Sequence, residues 1–109
     1  MSKYDNRSLD KKHVKWAKRI KARDNYTCQI CGKTGVWLNS HHLNSYAYFP
    51  EERYLDANGI TLCSNGPFSC HENFHRIYGK ERTTRYQFEE FRKSCELIKK
   101  AVETLDGYK

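Results

Sequence analysis

Four cysteines in two pairs place the strongest constraint on how this chain can fold. Cys28 and Cys31 are separated by two residues, and Cys63 and Cys70 by six. Four thiolates are a common ligand set for a tetrahedral structural zinc, for which the first spacing is typical and the second is wide. Bound zinc would clamp two distant segments together, and its binding free energy of ~10 kcal/mol or more would contribute to folding. The sequence therefore predicts a structural Zn²⁺ site, with residues 64–69 as a loop insertion.

Composition explains why the chain needs such a clamp. It has 109 residues, of which 38% are hydrophobic, and its mean hydropathy is −0.96. These values predict one domain with a small core. No run of ~18 apolar residues suggests a membrane span, and no secretory signal is recognisable. We therefore expect no membrane association and a cytoplasmic location, in a bacterial or phage-infected cell, where thiols stay reduced.

Two other uses of the cysteines fit the sequence less well. Disulfides need an oxidising compartment, for which there is no signal. A two-Cys two-His finger that joined the first pair to His71 and His75 would need a 39-residue gap, whereas such fingers use about a dozen residues. It would also leave Cys63 and Cys70 without a role. Cys95 falls on an apolar helical stripe, where we expect a core residue.

The histidines form a second group, suited to chemistry rather than to scaffolding. Adjacent residues of a strand point to opposite faces, so one imidazole of the His41-His42 pair could bind a metal while the other transfers a proton. His71 and His75 are four apart and would share one face of a helix as ligands to the same ion. Phosphodiester hydrolysis mainly requires a metal that neutralises phosphate charge and a base that removes a proton from the attacking water. A histidine with a pKa near 6.5 suits that base role at neutral pH. The pattern indicates a metal-dependent hydrolase.

Charge indicates a polyanionic substrate. Residues 1–33 carry a net charge of +7, and the remaining 76 residues carry a net charge of zero. A local cationic surface binds phosphate backbones without reading sequence, although a merely solvated helix face would look the same. His13 lies on this basic segment and is assigned nothing beyond phosphate contact. The candidate nucleic-acid-binding residues are Lys15, Lys18, Arg19, Arg23, Arg53 and Arg76.

Periodicity predicts three helices and two short strands. The predicted helices span residues 8–23, 69–78 and 84–105, and the predicted strands span residues 36–43 and 60–63. Ser8 is expected to cap the first helix, and Thr84 with Gln87 to form a capping box for the third. Asn58-Gly59 is expected to form a hairpin-type turn. The tyrosines of residues 44–54 are expected either to contact DNA sugars or the minor groove, or to close the core.

The last predicted helix carries an unbroken apolar stripe at spacings of three and four. We expect the stripe to pack on the domain itself, which makes the protein a monomer; the alternative is a homodimer through this helix. Its members are Phe88, Phe91, Cys95, Ile98, Val102 and Leu105.

The order of these motifs resembles the HNH family of nucleases. Cys-x2-Cys, His-His, Asn, Leu-Cys, Cys-His and a second His follow one another between about residues 16 and 79. Residues 23–32 and 58–63 are most similar to phage-type and homing endonucleases. The resemblance implies an α+β fold, a small ββα-metal (His-Me finger) core with a zinc-binding knuckle pair. A basic N-terminal helix and a long C-terminal helix would flank that core.

The resemblance also implies a role for each motif residue. His42 corresponds to the general base, and Asn58 to the asparagine that braces the loop holding this base. His41, His71 and His75 correspond to the ligands of one catalytic divalent metal. Many family members have Asp in place of His41 and Asn in place of His71. Three imidazoles are softer ligands, so we expect Zn²⁺, Ni²⁺ or Mn²⁺ to be preferred over Mg²⁺.

Taken together, the sequence predicts a single HNH nuclease domain. Residues 1–24 would form the basic helix, residues 25–79 the zinc and ββα-metal core, and residues 80–109 the C-terminal helix. The predicted activity is hydrolysis of phosphodiester bonds in double-stranded DNA, by nicking or by double-strand cleavage, with RNA as an open alternative. The alternative from another class is a non-catalytic, zinc-stabilised DNA-binding or accessory module.

Overall fold

The structure, a computed structural model, describes residues 9–106 of the chain. The regular elements are α1 (Lys11–Arg23), β1 (Leu38–His42), β2 (Gly59–Cys63), α2 (Cys70–Tyr78) and α3 (Arg85–Asp106). The number and type of elements agree with the prediction, so the protein is a small α+β domain. Within residues 9–106, none of the helices combines the length and the apolar character needed to cross a membrane.

Helix α1 begins at Lys11 and is capped by Asp10. The Asp10 carboxylate accepts hydrogen bonds from the backbone N–H of Lys12 at 3.0 Å and of His13 at 3.2 Å. The predicted cap, Ser8, lies outside the described residues, and the helix starts later than predicted. A carboxylate at this position satisfies two N–H groups that the first turn leaves without helical partners.

The two strands form an antiparallel pair in which Leu38 lies opposite Cys63 and His42 opposite Gly59. The prediction of a hairpin-type turn at Asn58-Gly59 is wrong, because a long loop over residues 43–58 joins the strands. Asn58 ends a short 3₁₀ turn and Gly59 begins β2 with an extended φ of −131°. A Cβ atom on Gly59 would lie 2.5 Å from a ring carbon of Trp16. This glycine therefore allows close packing of α1 on β2 rather than a turn.

The core lies between the strands, α2 and α3. Ser69 caps α2, and Gly79 ends it with a φ of +83°, a conformation that glycine adopts at little cost. The predicted capping box of α3 is confirmed, since Gln87 N–H donates to the Thr84 hydroxyl at 3.3 Å and Thr84 N–H donates to the Gln87 side-chain oxygen at 3.0 Å. The buried residues of this cluster are Cys28, Leu43, Leu62, Cys63, Phe74, Phe88 and Phe91, and Trp16 and Ile20 of α1 are also fully buried.

The apolar stripe of α3 packs on the domain only along its first half. Phe88 and Phe91 are buried, but Ile98, Val102 and Leu105 are 65%, 51% and 67% exposed. The expectation that the whole stripe packs within the domain is therefore wrong. The helix has 22 residues, so it is ~33 Å long, and the last residue of its stripe that packs against the buried core is Cys95. The core is too small to cover it.

Candidate active site

The four paired cysteines converge at one point beside the sheet. Their sulfur atoms all lie within 4.8 Å of one another, and the Sγ atoms of Cys31 and Cys63 are 3.7 Å apart. Tetrahedral zinc with Zn–S bonds of ~2.3 Å would place its sulfur ligands ~3.8 Å apart. The backbone N–H of Cys70 also donates to the Cys63 sulfur at 3.3 Å. The cluster is therefore consistent with a structural zinc site.

The pKa shifts of these thiols are also consistent with a bound cation. A hydrogen bond from Cys70 lowers the pKa of Cys28 to about 4. The same bond, together with burial and the Cys28 charge, raises the pKa of Cys70. Burial is the main cause of the raised pKa of Cys31. Without a metal, one thiolate makes ionisation of its neighbours costly, whereas a divalent cation among four sulfurs removes that penalty. The donor set and its electrostatics both suit zinc.

Three histidines form a separate cluster between β1 and α2. One ring nitrogen from each of His41, His71 and His75 lies within 4.8 Å of the other two. His41 is buried at the end of β1, while His71 and His75 lie one turn apart on α2 with their rings 4.6 Å apart. Each cluster is made of one ligand type, so the two-Cys two-His combination is not formed. The spacing of the histidines allows them to bind one metal ion.

The protonation of the α2 histidines suits metal binding. The Nδ1 atom of His75 lies 2.7 Å from the Gly79 carbonyl oxygen. A carbonyl can only accept, so Nδ1 carries the hydrogen and the Nε2 lone pair is the one that can face a metal. Burial, reinforced by the charge of His75, lowers the pKa of His71 to about 4. His71 is therefore neutral at pH 7, the form that a ligand requires.

His42 points to the opposite face of β1, as the alternation of a strand predicts. Its ring stacks on that of Trp16, with centroids 3.9 Å apart and planes 14° apart. Its Nε2 atom lies 2.9 Å from the Arg53 carbonyl oxygen. In the neutral ring Nε2 must therefore carry the hydrogen, which leaves the basic lone pair on Nδ1. The surroundings of His42 select the tautomer that a general base at Nδ1 needs.

Asn58 holds together the loop that supplies this carbonyl. Its fully buried side chain donates to the carbonyls of Asn44 at 2.9 Å and Glu52 at 3.1 Å, and accepts from the Asn44 N–H at 2.8 Å. Glu52 directly precedes Arg53. The Asn58 amide thus joins Asn44 to the residue that directly precedes Arg53, and so helps to fix the position of the carbonyl that orients His42.

One cavity of about 470 Å³ brings the two histidine faces together. Its lining includes His41, His42, His71 and His75, and also residues that the sequence analysis did not place in the site. The ring of His13 stacks on that of His42, with centroids 5.5 Å apart. His13 lies three residues before Trp16, so the helical period places both on one face of α1, and this spacing could have predicted its position. Lys80 lines the cavity from the connection between α2 and α3. No local sequence pattern predicted this position.

The predicted nucleic-acid contacts divide into two groups. Lys15 and Lys18 are exposed on α1. The four arginines donate to groups of the fold itself: Arg19 to Asp56 and Tyr54, Arg23 to Asp24, Asp56 and Gly59, Arg53 to Tyr46, and Arg76 to Asn73 and Pro67. The arginines therefore have a structural role whether or not they also reach a phosphate.

Two of the loop tyrosines connect the loop to α1. The hydroxyls of Tyr46 and Tyr54 donate to Asp10 Oδ2 at 2.8 and 2.5 Å. The Tyr54 bond is the main reason why the pKa of Asp10 falls to about 2, and the same bond raises the pKa of Tyr54 to about 12. The Tyr46 ring also meets His42 edge-on at 5.5 Å. These two tyrosines close the loop over the His42 side of the cavity.

Comparison with known proteins adds no relative: no protein-family model, no curated protein and no solved structure matches this chain.

Proposed function

We propose that this protein is a metal-dependent endonuclease of the HNH type that hydrolyses phosphodiester bonds in DNA. The observation that carries the proposal is the arrangement of the cavity. His42 lines the same cavity as three histidines that can bind a single cation. Its hydrogen bond to the Arg53 carbonyl makes Nδ1 the basic nitrogen of its ring. A base on one side and a cation on the other suit in-line attack on a phosphodiester.

A divalent cation bound by His41, His71 and His75 would supply Lewis-acid stabilisation of the charge on the phosphate and on the leaving 3′ oxygen. Three imidazoles favour Zn²⁺, Ni²⁺ or Mn²⁺ over Mg²⁺ in this role.

His42 performs the proton transfer. Its Nδ1 accepts a proton from water as the water oxygen bonds to phosphorus and the bond to the 3′ oxygen breaks. The products are a 5′ phosphate and a 3′ hydroxyl, which takes its proton from solvent. The imidazolium formed is stabilised by its hydrogen bond to the Arg53 carbonyl and by the electron-rich face of Trp16. Asn58 does not take part in the proton transfer; it is a positioning residue that holds the loop carrying the Arg53 carbonyl.

Charge supports a nucleic-acid substrate. Lys15 and Lys18 are exposed on α1, and Lys80 lines the cavity itself. With a formal net charge of +7, the protein should attract a phosphate backbone without reading its sequence. We propose double-stranded DNA as the substrate.

The test is cleavage of supercoiled plasmid in Mg²⁺, Mn²⁺, Ni²⁺ or Zn²⁺, with an RNA transcript assayed in parallel. The His42→Ala variant should lose about 10²- to 10⁴-fold in rate, while its DNA affinity and zinc content stay at wild-type values. Cleavage that survives this substitution would rule out His42 as the base. Cleavage of the transcript alone would make RNA the substrate.

Metal stoichiometry separates the nuclease from a non-catalytic DNA-binding module. The nuclease should hold one tight zinc and should bind a second metal through the histidine cluster, with a change in activity. A protein that holds one zinc and gives no response to a second metal would instead be the binding module.

A further inference from the structure

The insertion between Cys63 and Cys70 has no part in the cavity described above. None of residues 64–69 lines that cavity, and the zinc site would need only a shorter connection. At its end, Phe68 leaves 82% of its surface exposed. An aromatic ring presented to solvent in this way gains little from folding, because it buries almost no apolar area. Its position therefore calls for another explanation.

The backbone that carries Phe68 is tied to α2. The Asn73 side chain donates to the Phe68 carbonyl at 3.1 Å, and the Arg76 guanidinium donates to the Pro67 carbonyl. The same guanidinium also donates to the Asn73 side-chain oxygen at 2.7 Å. Two α2 side chains thus hold consecutive carbonyls of the insertion, and the ring projects from an anchored segment.

One cationic side chain lies beside the ring. The Arg76 guanidinium carbon lies 5.5 Å from the Phe68 ring centroid, and Arg76 uses two of its N–H groups in the bonds to Pro67 and Asn73. An arginine has five such donors. Phe68 comes three residues before His71, and Arg76 directly follows His75 in the last turn of α2, so both residues are close in the chain to the two cluster histidines of this helix. Nucleic-acid-binding proteins use aromatic side chains to stack on bases and arginines to bind phosphates.

We propose that Phe68 and Arg76 form a DNA-contacting element, in which the ring packs against a base and the guanidinium binds a nearby phosphate. Apolar side chains that enter the minor groove at a base step partly unstack it. This inference rests on the proposed function, because it takes the substrate of the cavity to be DNA. It assigns the six-residue insertion a role in substrate binding that is independent of the catalytic groups.

The experiment measures the affinity of a fluorescein-labelled DNA duplex in the His42→Ala background, so that the substrate stays intact. Adding Phe68→Ala should weaken binding by about 5- to 100-fold, the range expected for the loss of one stacked base. Phe68→Trp should keep or increase the affinity, and Phe68→Leu should fall between. Leu97→Ala, which removes an exposed apolar side chain from α3, is the control and should bind like the background protein.

A second readout follows the base directly. A duplex carrying 2-aminopurine should brighten when the background protein binds, because unstacking relieves quenching, and should brighten less with Phe68→Ala. Equal zinc content in all variants shows that the fold is kept.

Unchanged affinity and unchanged fluorescence for Phe68→Ala would overturn the inference while leaving plasmid cleavage, and so the proposed function, intact. A change in oligomeric state with unchanged DNA affinity would also overturn it and would identify Phe68 as a contact between copies. A wild-type protein that neither binds nor cuts DNA would overturn the proposed function itself.

Discussion

The Nε2 atom of His42 lies 2.9 Å from the carbonyl oxygen of Arg53, a residue in the loop between the two strands. This contact couples the conformation of the loop to the tautomer of the imidazole, because only a protonated Nε2 can donate to a carbonyl. Any change that moves the Arg53 carbonyl should therefore alter the basic nitrogen of His42 without touching the ring.

Asn58→Ala tests that coupling. The substitution leaves the Asn44 N–H and two loop carbonyls without their buried partner, so the free energy of unfolding should fall by about 1–3 kcal/mol. Because His42 is then held less well, kcat for plasmid cleavage should fall at least ~10-fold while KM changes little. Glu103→Ala, at an exposed position on α3 outside the cavity, is the control. Reduced stability with an unchanged kcat at a temperature where the variant is folded would limit Asn58 to a structural role.

The cysteine cluster can be tested against a cysteine outside it. Cys63→Ser removes one of four sulfurs and should abolish stoichiometric zinc and the cooperative thermal transition, because metal binding contributes to folding. Cys95→Ser changes a partly buried thiol on α3 that is not in the cluster and should retain one zinc per chain. Elemental analysis and circular dichroism measure both properties. Full zinc occupancy in Cys63→Ser would contradict the four-sulfur site.

Asp10 should stabilise the fold by an amount that is constant over ordinary pH. Asp10→Ala loses the helix cap, so the free energy of unfolding should fall by about 1 kcal/mol, and the loss of the two tyrosine hydrogen bonds should add to this. The folded pKa of Asp10 is lowered to about 2, mainly by the Tyr54 hydroxyl, whereas an unfolded Asp titrates near 3.9. A lowered folded pKa gives stability that is fully present above the unfolded pKa and is lost as pH falls toward the folded pKa.

The difference between wild type and Asp10→Ala in urea unfolding should therefore be the same at pH 8 and pH 5, and should narrow only below about pH 4. Asp10→Asn, which keeps a helix-capping side chain, should lose less than Asp10→Ala. A difference that already shrinks between pH 8 and pH 5 would show that this carboxyl does not have the lowered pKa.

Lys80 should contribute to substrate binding more than an equally exposed lysine elsewhere. It lines the cavity, whereas Lys99 lies on α3 outside it. Lys80→Ala should weaken DNA binding and lower the slope of log affinity against log salt by about 1, as expected for one lost phosphate contact. Lys99→Ala should leave that slope near the wild-type value. Equal slopes for the two variants would remove Lys80 from the binding surface.

Local sequence patterns were sufficient where a feature depends on neighbours along the chain. Ser69, Gly79 and the Thr84–Gln87 pair mark helix ends because their bonds are made within a single turn. The opposite faces of His41 and His42 follow from strand alternation alone. The grouping of four sulfurs apart from three imidazoles was also predictable, because each set has a ligand chemistry of its own.

Predictions failed where a local signal competed with packing. Asn58-Gly59 has the composition of a tight turn, yet the Asn58 side chain is used within the long loop and Gly59 makes room for Trp16. The stripe of α3 is regular over its whole length, but periodicity indicates only which face is apolar. Whether that face is covered depends on the size of the core, and here Ile98, Val102 and Leu105 extend past it.

By itself, the sequence determined the ligand types, their separation into two sets and the elements that carry them, since backbone geometry repeats over a few residues. The tertiary structure alone decided that the Arg53 carbonyl orients His42, that His13 and Lys80 enter the cavity, and that the arginines bond to the fold. These contacts join residues far apart in the chain, and their distances depend on how α1, the long loop and α2 pack around Trp16 and Phe74. No spacing along the chain encodes that packing.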